Sequence, residues 1–153
     1  MKLTYALIAA AVLALAAAPA PADAASKREM ERNKKNVIAF YDAAINKKDF
    51  EAAKKYFGAG YKQHNPNAAD GPEGLKGFIA FLKDKFPNNK SEFKRVFADG
   101  DYVIVHVHAV REPGTRGFAI IDIFRLDRKG GIVEHWDVAQ PVPEKAANEN
   151  GMF

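Results

Sequence analysis

Hydrophobic positions recur with helical spacing over residues 26–86. A ragged first stripe predicts a helix that ends where the polar run 46–49 breaks the pattern. Asp49 can cap a short second helix through Tyr56, and the glycines that follow end it. After a short extended segment, residues 71–85 predict a third helix, because their apolar side chains share one helical face.

The spacing of apolar positions changes from helical to alternating after Pro87, which indicates strands. Glycine-containing turns and a Pro-Gly loop divide this part of the chain. Four strands are predicted, at residues 91–98, 102–111, 117–126 and 132–140. Helices followed by consecutive strands predict a single α+β domain over residues 25–153, with three N-terminal helices packed on a curved antiparallel sheet.

Both faces of the predicted sheet carry apolar side chains, although the helices can cover one face only. Alternation places His106 and His108 on the opposite face of their strand from three valines. It likewise places Asp122 opposite two isoleucines on the next strand. We expect a second copy of the chain to cover the outer face, giving a homodimer through the side that carries Val103, Val105, Val107, Ile121 and Ile123.

Composition excludes several classes of protein and site. The chain has 153 residues, 48% of them hydrophobic and 27% charged, as in one ordinary globular domain. It has no Cys, which excludes disulfides, thiolate metal sites and a cysteine nucleophile. The net charge is +4, and because Lys and Arg are interleaved with Asp and Glu, no nucleic-acid partner is expected.

The first 24 residues have the pattern of a cleaved secretory signal peptide. Lys2 is followed by an apolar run from Leu3 to Ala18, and Ala22-Asp23-Ala24 matches the small-x-small cleavage pattern. The run is shorter than a membrane span and prolines break it, which favours cleavage over an uncleaved anchor. We therefore expect a secreted or periplasmic protein with no stable membrane anchor.

Two histidines and one aspartate are candidates for acid/base chemistry. A turn near Pro113-Gly114 opposes His106 to Asp122 across the sheet, and a shift of two residues opposes His108 to Asp122 instead. Desolvation raises the pKa of an aspartate among apolar neighbours, and a nearby imidazolium lowers it again. Such a pair can pass a proton near neutral pH. The alternative is a buried Asp–His pair whose members only satisfy each other's hydrogen-bonding groups and have no catalytic role.

Side chains from two other segments can join this group. His64 lies on the extended segment that follows the second helix. On the last strand, either Trp136 and Gln140 or His135 and Asp137 face inward, and a β-bulge would exchange the two sets. We take Trp136 and Gln140 as the inward pair.

A metal site is the main competing interpretation of the histidines. His106-x-His108 with Asp122 and His64 is a conceivable ligand set. Because an His-x-His pair alone is a weak signal, no metal is expected. The sequence also has no Gly-rich phosphate loop and no nucleophile elbow.

Four strings of residues carry a resemblance to a known family: Tyr61-Lys62-Gln63-His64-Asn65-Pro66, Asp70-Gly71-Pro72-Glu73-Gly74, Asp122-Ile123-Phe124-Arg125 and Gly131-Ile132-Val133-Glu134-His135-Trp136-Asp137. They resemble the SnoaL-like polyketide-cyclase group of the nuclear transport factor 2-like superfamily. The resemblance covers about Asn33 to Phe153, and the part from Asp122 to Gln140 is fairly specific.

The resemblance implies a cone-like fold, the nuclear transport factor 2-like or cystatin-like roll, in which three helices close a curved sheet around an apolar cavity. It also implies a frequent dimer. Such relatives include ketosteroid isomerases, limonene epoxide hydrolases and aldol-type cyclases, which use acid/base chemistry without a cofactor. Gln140 lies near the place of a catalytic acid in hydrolases and cyclases, which argues against ordinary epoxide hydrolysis and makes Asp122 the best remaining carboxylate.

The leading hypothesis is an enzyme of the aldol, cyclase or isomerase type that acts on a small, largely apolar carbonyl compound. Asp122 or His106 would remove a proton next to the carbonyl, and His64 or His108 would donate to the enolate oxygen. The alternative is a non-catalytic periplasmic protein that binds a small molecule in the same place. The expected ligand-binding residues are Trp136, Tyr61, Phe118 and Gln140.

Overall fold

The computed structural model describes residues 25–153, so the predicted signal peptide, residues 1–24, lies outside the described residues. No helix in the described part is long and apolar enough to cross a membrane. This part contains three α-helices: α1 (Lys27–Tyr41), which continues as a π-helical turn (Asp42–Asn46), α2 (Phe50–Ala53), which continues as a 3-10 turn (Lys54–Tyr56), and α3 (Gly71–Lys85).

Each helix begins at a side chain that caps free backbone N–H groups. Ser26 and Glu29 form a reciprocal capping box at the start of α1. The Asp49 carboxylate accepts from the Ala52 N–H, as the sequence predicts, and Asp70 accepts from the Gly71 N–H at the start of α3. Asp70 also accepts from the Gln63 N–H, which ties the start of α3 to the segment that carries the site.

Five strands form one sheet in the order β1-β5-β4-β3-β2. The α+β fold with helices on a curved sheet is therefore confirmed. One strand is additional to the prediction: the glycines expected to end the second helix lie inside β1, which pairs parallel with β5. The strands are β1 (Phe57–Gln63), β2 (Lys90–Asp99), β3 (Tyr102–Val110), β4 (Phe118–Leu126) and β5 (Ile132–Pro141).

The register between β3 and β4 differs by one residue from the predicted one. Asp122 pairs with Val105, and His106 pairs with Ile121. A one-residue change moves every side chain to the other face, so the predicted opposition of Asp122 to His106 or His108 is wrong. The helices cover the face that carries Val105, and the β3 valines are fully buried in the core. The prediction that these valines form a dimer interface is therefore also wrong.

The pairing of β4 with β5 contains the irregularity that decides which side chains of β5 face inward. Leu126 pairs with Ile132, whereas Arg125 pairs with Glu134, so Val133 is an extra residue in the ladder. This bulge exchanges the two faces of β5 beyond it. His135 and Asp137 therefore face inward with Asp122, and the expectation that Trp136 and Gln140 do so is wrong.

The core lies between the helices and the inner face of the sheet, which we define as the face that carries Val103, Val105, Asp122 and Phe124. Phe124 is 2% exposed, and its ring lies 5.9 Å from Phe40 of α1 and 4.7 Å from the His135 imidazole, between ring centroids. The opposite, outer face carries Ile104, His106, Ile121, Ile123, Trp136 and Val138.

Candidate active site

Three titratable side chains meet on the inner face where β4 pairs with β5. Asp122 and Asp137 are direct partners across the two strands, and His135 lies two residues before Asp137. One ligand atom from each residue lies within 4.8 Å of the others. Asp122 is 4% exposed and His135 is 9% exposed, so both are removed from bulk water.

Hydrogen bonds link Asp122 through His135 to Gln63 at the end of β1. His135 Nε2 lies 3.0 Å from Asp122 Oδ1, and His135 Nδ1 lies 2.9 Å from Gln63 Oε1. Gln63 Oε1 also accepts from the Asn65 backbone N–H at 2.9 Å. Since a backbone N–H is always a donor, the atom facing His135 Nδ1 is the amide oxygen, and Nδ1 carries a proton.

This tautomer determines what lies between His135 and Asp122. With Nδ1 protonated, neutral His135 presents a lone pair on Nε2 to a carboxylate oxygen. Two acceptors 3.0 Å apart need a proton between them. The pair therefore holds one shared proton, as imidazolium with carboxylate or as imidazole with carboxylic acid.

Two further polar side chains complete the cluster. The Asn65 side-chain amide donates to both carboxylate oxygens of Asp137, at 2.7 and 2.8 Å. The Gln63 amide nitrogen donates to the Tyr61 hydroxyl oxygen at 3.0 Å, which leaves the Tyr61 proton available to another acceptor. Asp122 Oδ2 is buried, and no described residue gives it a hydrogen bond.

Burial dominates the electrostatics of the cluster. Desolvation raises the pKa of Asp122, the His135 hydrogen bond and charge lower it, and the Asp137 charge raises it further. The pKa of Tyr61 is raised by desolvation and by the nearby carboxylates, so its hydroxyl stays a neutral donor. The site thus combines a carboxyl of raised pKa, an imidazole of fixed tautomer and a neutral hydroxyl.

The predicted catalytic histidines lie elsewhere. His106 and His108 are on the outer face, where Arg95 Nη1 donates to His106 Nδ1 at 2.9 Å and His108 Nε2 lies 2.8 Å from the Arg116 carbonyl oxygen. The Phe153 ring packs against both imidazoles, at 5.5 and 4.4 Å between centroids. Neither contacts Asp122, because the strand register turns them away from it.

His64, Trp136 and Gln140 also lie away from the inner cluster. The His64 ring stacks on the Trp136 ring at 4.7 Å, and its Nε2 lies 2.8 Å from Glu134 Oε1. Gln140 is exposed on the outer side of β5. Among the predicted site residues, Asp122, Tyr61 and Phe118 are the ones on the inner face.

Sequence reasoning missed Gln63 and Asn65 as site residues and placed His135 and Asp137 in the disfavoured alternative. Two features of the sequence are compatible with these positions, but neither decides which way the side chains face. The extra residue Val133 after the Gly130-Gly131 turn is the kind of position where a bulge forms. A Gln-x-Asn spacing at the end of a strand puts both amides on one side, facing the same neighbouring strand.

Comparison with known proteins agrees with this fold. A sequence profile described as the SnoaL-like domain matches residues 37–135. No curated protein sequence matches the chain.

Three solved structures have the same fold at low sequence identity. A candidate polyketide cyclase from Bacillus cereus ATCC 10987 has a TM-score of 0.64 at 22% identity, covering 75% of this chain and 78% of that one. A candidate isomerase of the SnoaL-like family from Agrobacterium tumefaciens str. C58 has a TM-score of 0.60 at 17% identity, with 71% and 97% covered. An NTF2-like protein of unknown function from Cytophaga hutchinsonii ATCC 33406 has a TM-score of 0.58 at 19% identity, with 71% and 90% covered.

Proposed function

The chain belongs to the SnoaL-like family, and we propose that it catalyses cofactor-independent acid/base chemistry of the aldol, cyclase or isomerase type on a small carbonyl compound. The observation that carries this proposal is the buried Asp122–His135 pair with one shared proton and an unpartnered carboxylate oxygen. Structures of the same fold from proteins described as candidate cyclases and isomerases support the reaction class.

Asp122 is the proposed general base. With the shared proton on His135, Asp122 is a carboxylate whose Oδ2 lacks a protein donor, so it can accept a proton from the carbon next to a carbonyl. Its raised pKa makes it a stronger base than an exposed aspartate. The same group can return the proton to another carbon, which completes an isomerisation, or to the oxygen formed in an aldol step.

Tyr61 is the proposed donor to the enolate oxygen. Its hydroxyl oxygen already accepts from Gln63, so its own proton is free for a ligand oxygen. A neutral donor held in place before the reaction stabilises negative charge that develops on oxygen. The apolar neighbours Val105, Phe124 and Ile120 favour a substrate that is largely hydrocarbon around its carbonyl.

Exchange of α-hydrogens for deuterium tests this proposal without knowledge of the natural substrate. A panel of ketones and β-keto esters is incubated with the protein in D2O and followed by proton NMR. We expect accelerated exchange for at least one compound, and Asp122→Asn should slow it at least about 100-fold. His106→Gln, on the outer face, is the matched control and should leave exchange unchanged. Equal exchange rates for Asp122→Asn and the unchanged protein would refute the role of Asp122.

A metal ion at the same cluster is a second candidate, since Asp122, His135 and Asp137 can offer three ligand atoms to one cation. A divalent ion would take the place of the shared proton. Elemental analysis of protein purified without chelators distinguishes these two interpretations. About one metal ion per chain supports a metal site, and a trace amount supports a proton shared between Asp122 and His135.

A non-catalytic carrier is the remaining alternative, and it would use the same inner face. Native mass spectrometry and extraction of the purified protein test it. A stoichiometric ligand recovered unchanged, with no exchange activity on the panel, would favour the carrier over the enzyme.

Export is proposed from the sequence pattern of residues 1–24. We expect a secreted or periplasmic protein whose first residue is Ala25. Intact-mass measurement on protein from the periplasmic and culture fractions checks this. Protein that keeps Met1 to Ala24 and stays with the cells would contradict it.

A further inference from the structure

A second polar feature lies at the far end of the inner face, where β3 ends. Arg111 directly follows β3, and its guanidinium carbon lies 5.7 Å from the centre of the Phe86 ring and 5.4 Å from the centre of the Phe118 ring. Both distances are in the range of cation–π contacts. Two rings from different elements therefore hold the guanidinium: Phe86 at the end of α3 and Phe118 at the start of β4.

The held guanidinium keeps its hydrogen-bonding capacity. Within residues 25–153, no carboxylate forms an ion pair with Arg111, and no acceptor takes a hydrogen bond from it. A guanidinium against aromatic rings interacts through its face, which leaves its five N–H donors at the edge for a planar acceptor. A carboxylate fits these donors in the bidentate geometry that gives strong, oriented binding.

The position of Arg111 relates it to the proposed catalytic cluster. Phe118 pairs with Ala109, whose side chain is buried on the inner face, and it precedes Asp122 by four residues on the same face of β4. Four residues of an antiparallel strand span about 14 Å. Burial raises the pKa of the Tyr41 hydroxyl, the Asp122 charge raises it further and the Arg111 charge lowers it, so Tyr41 interacts electrostatically with both groups.

A third aromatic ring continues the group of rings that holds Arg111. The Phe86 ring packs edge-on against Phe81 at 5.6 Å, and Phe81 is 44% exposed. A cation surrounded by aromatic rings matches a ligand that has an acidic group attached to a hydrocarbon body.

We propose that Arg111, held between Phe86 and Phe118, binds the carboxylate of an acidic, partly apolar ligand whose hydrocarbon part extends along the inner face towards Asp122. Together with the proposed function, on which this last step rests, the substrate class becomes a carbonyl compound that carries a carboxylate remote from the reacting carbon. Binding of the carboxylate itself does not depend on catalysis.

Binding of matched ten-carbon probes tests the proposal. Decanoate and 1-decanol differ in the acidic group, and isothermal titration calorimetry or NMR titration measures both. We expect the unchanged protein to bind decanoate at least about tenfold more tightly than 1-decanol, since a charged bidentate contact is worth that factor or more. Equal affinity for the two probes, or no binding of decanoate, would overturn the proposal.

Variants at one position separate charge from packing. Arg111→Gln should abolish the preference for decanoate while binding of 1-decanol persists, and Arg111→Lys, which keeps the charge but not the planar fork, should retain part of it. Arg116→Gln, in the exposed loop before β4, is the control and should behave as the unchanged protein. A preference that survives in Arg111→Gln would contradict the assignment.

One further variant distinguishes failure of this proposal from failure of the proposed function. Asp122→Asn should keep the preference for decanoate over 1-decanol, because the two probes have the same hydrocarbon end and differ only in the group that Arg111 binds. Loss of the decanoate preference only in the Arg111 variants supports the carboxylate site whether or not the exchange experiment detects activity.

Discussion

Asp122 occupies a position where an apolar side chain would be easier to bury. Its carboxyl is almost fully enclosed, and its hydrogen-bond partner is a single imidazole. A buried ionisable group of this kind opposes folding unless its partner is well placed. A carboxyl held there at the expense of stability is typical of a residue that serves chemistry.

The pH dependence of stability follows from the raised pKa of Asp122. A group whose pKa is higher in the folded than in the unfolded protein favours folding at low pH, and this contribution is lost as the pH rises through the raised pKa. The Asp122→Asn side chain stays neutral as the pH rises, so the variant does not lose this contribution to stability. Its amide can still donate a hydrogen bond to His135 Nε2. We therefore expect the variant to be more stable than the unchanged protein at pH 7.

Urea unfolding of both proteins across pH 3 to 7 measures this effect. The stability difference should shrink towards zero as the pH falls below the pKa of an unfolded aspartate, because both side chains are then neutral. A variant that is less stable at pH 7 than the unchanged protein would contradict the prediction.

At the scale of the elements, the chain's periodicity predicts the helices and strands well and their faces poorly. The bounds of α3 agree with the predicted range 71–85, and β3, β4 and β5 agree to within a residue at each end. Strand alternation has a period of two, so one unrecognised residue reverses every face. The loop after β3 and the bulge at Val133 each supply such a residue, and the pattern of the strands alone contains neither.

The candidate site shows the same limit. Asp122 could be found from the sequence, since it is an acidic residue in an otherwise apolar strand. Its partner His135 could not be chosen over His106, because that choice depends on the bulge. Gln63 could not be placed either, because β1 joins the sheet by a parallel pairing with β5 that short-range patterns do not reveal.

Two glycines of different elements give opposite predictions for replacement by alanine. Gly117, at the entry to β4, has φ +72°, and a Cβ there would lie 2.3 Å from the Ala109 carbonyl oxygen. Gly77 lies inside α3, and a Cβ there would meet no atom within 4 Å. Gly117→Ala should destabilise the fold by about 1–3 kcal/mol, whereas Gly77→Ala should stabilise it by about 0.5–1 kcal/mol.

Thermal or denaturant unfolding of the two variants checks this pair. Both replacements add the same methyl group. The difference between their effects on stability therefore reflects the backbone conformation and the free space at each position. If Gly117→Ala unfolds at the same midpoint as the unchanged protein, the described entry into β4 is wrong.

At the scale of the whole molecule, the outer face of the sheet carries exposed apolar side chains. Val138 is 70% exposed, and Phe97 is 56% exposed on the same face. Exposed large apolar side chains on one sheet face indicate an interaction surface. We propose a homodimer through this outer face, now with Ile121, Ile123, Trp136 and Val138 in place of the core valines.

Val138→Glu tests the dimer without touching the core. We expect the unchanged protein to have twice the chain mass by light scattering, and the variant to have the mass of one chain, because a buried unpaired carboxylate opposes association. Ala80→Glu, on the exposed side of α3, is the control and should stay dimeric. An unchanged protein that is monomeric at tens of micromolar concentration would contradict the proposal.

The measurement that tests the central claim most directly is the protonation state of His135 by nitrogen NMR on protein labelled with ¹⁵N-histidine, with the signal assigned by its loss in His135→Gln. The shared proton and the Gln63 contact predict that Nδ1 carries a hydrogen at pH 7. They also predict that Nε2 responds to Asp122→Asn. A neutral ring with its hydrogen on Nε2 and a bare Nδ1 would contradict the Asp122–His135 account.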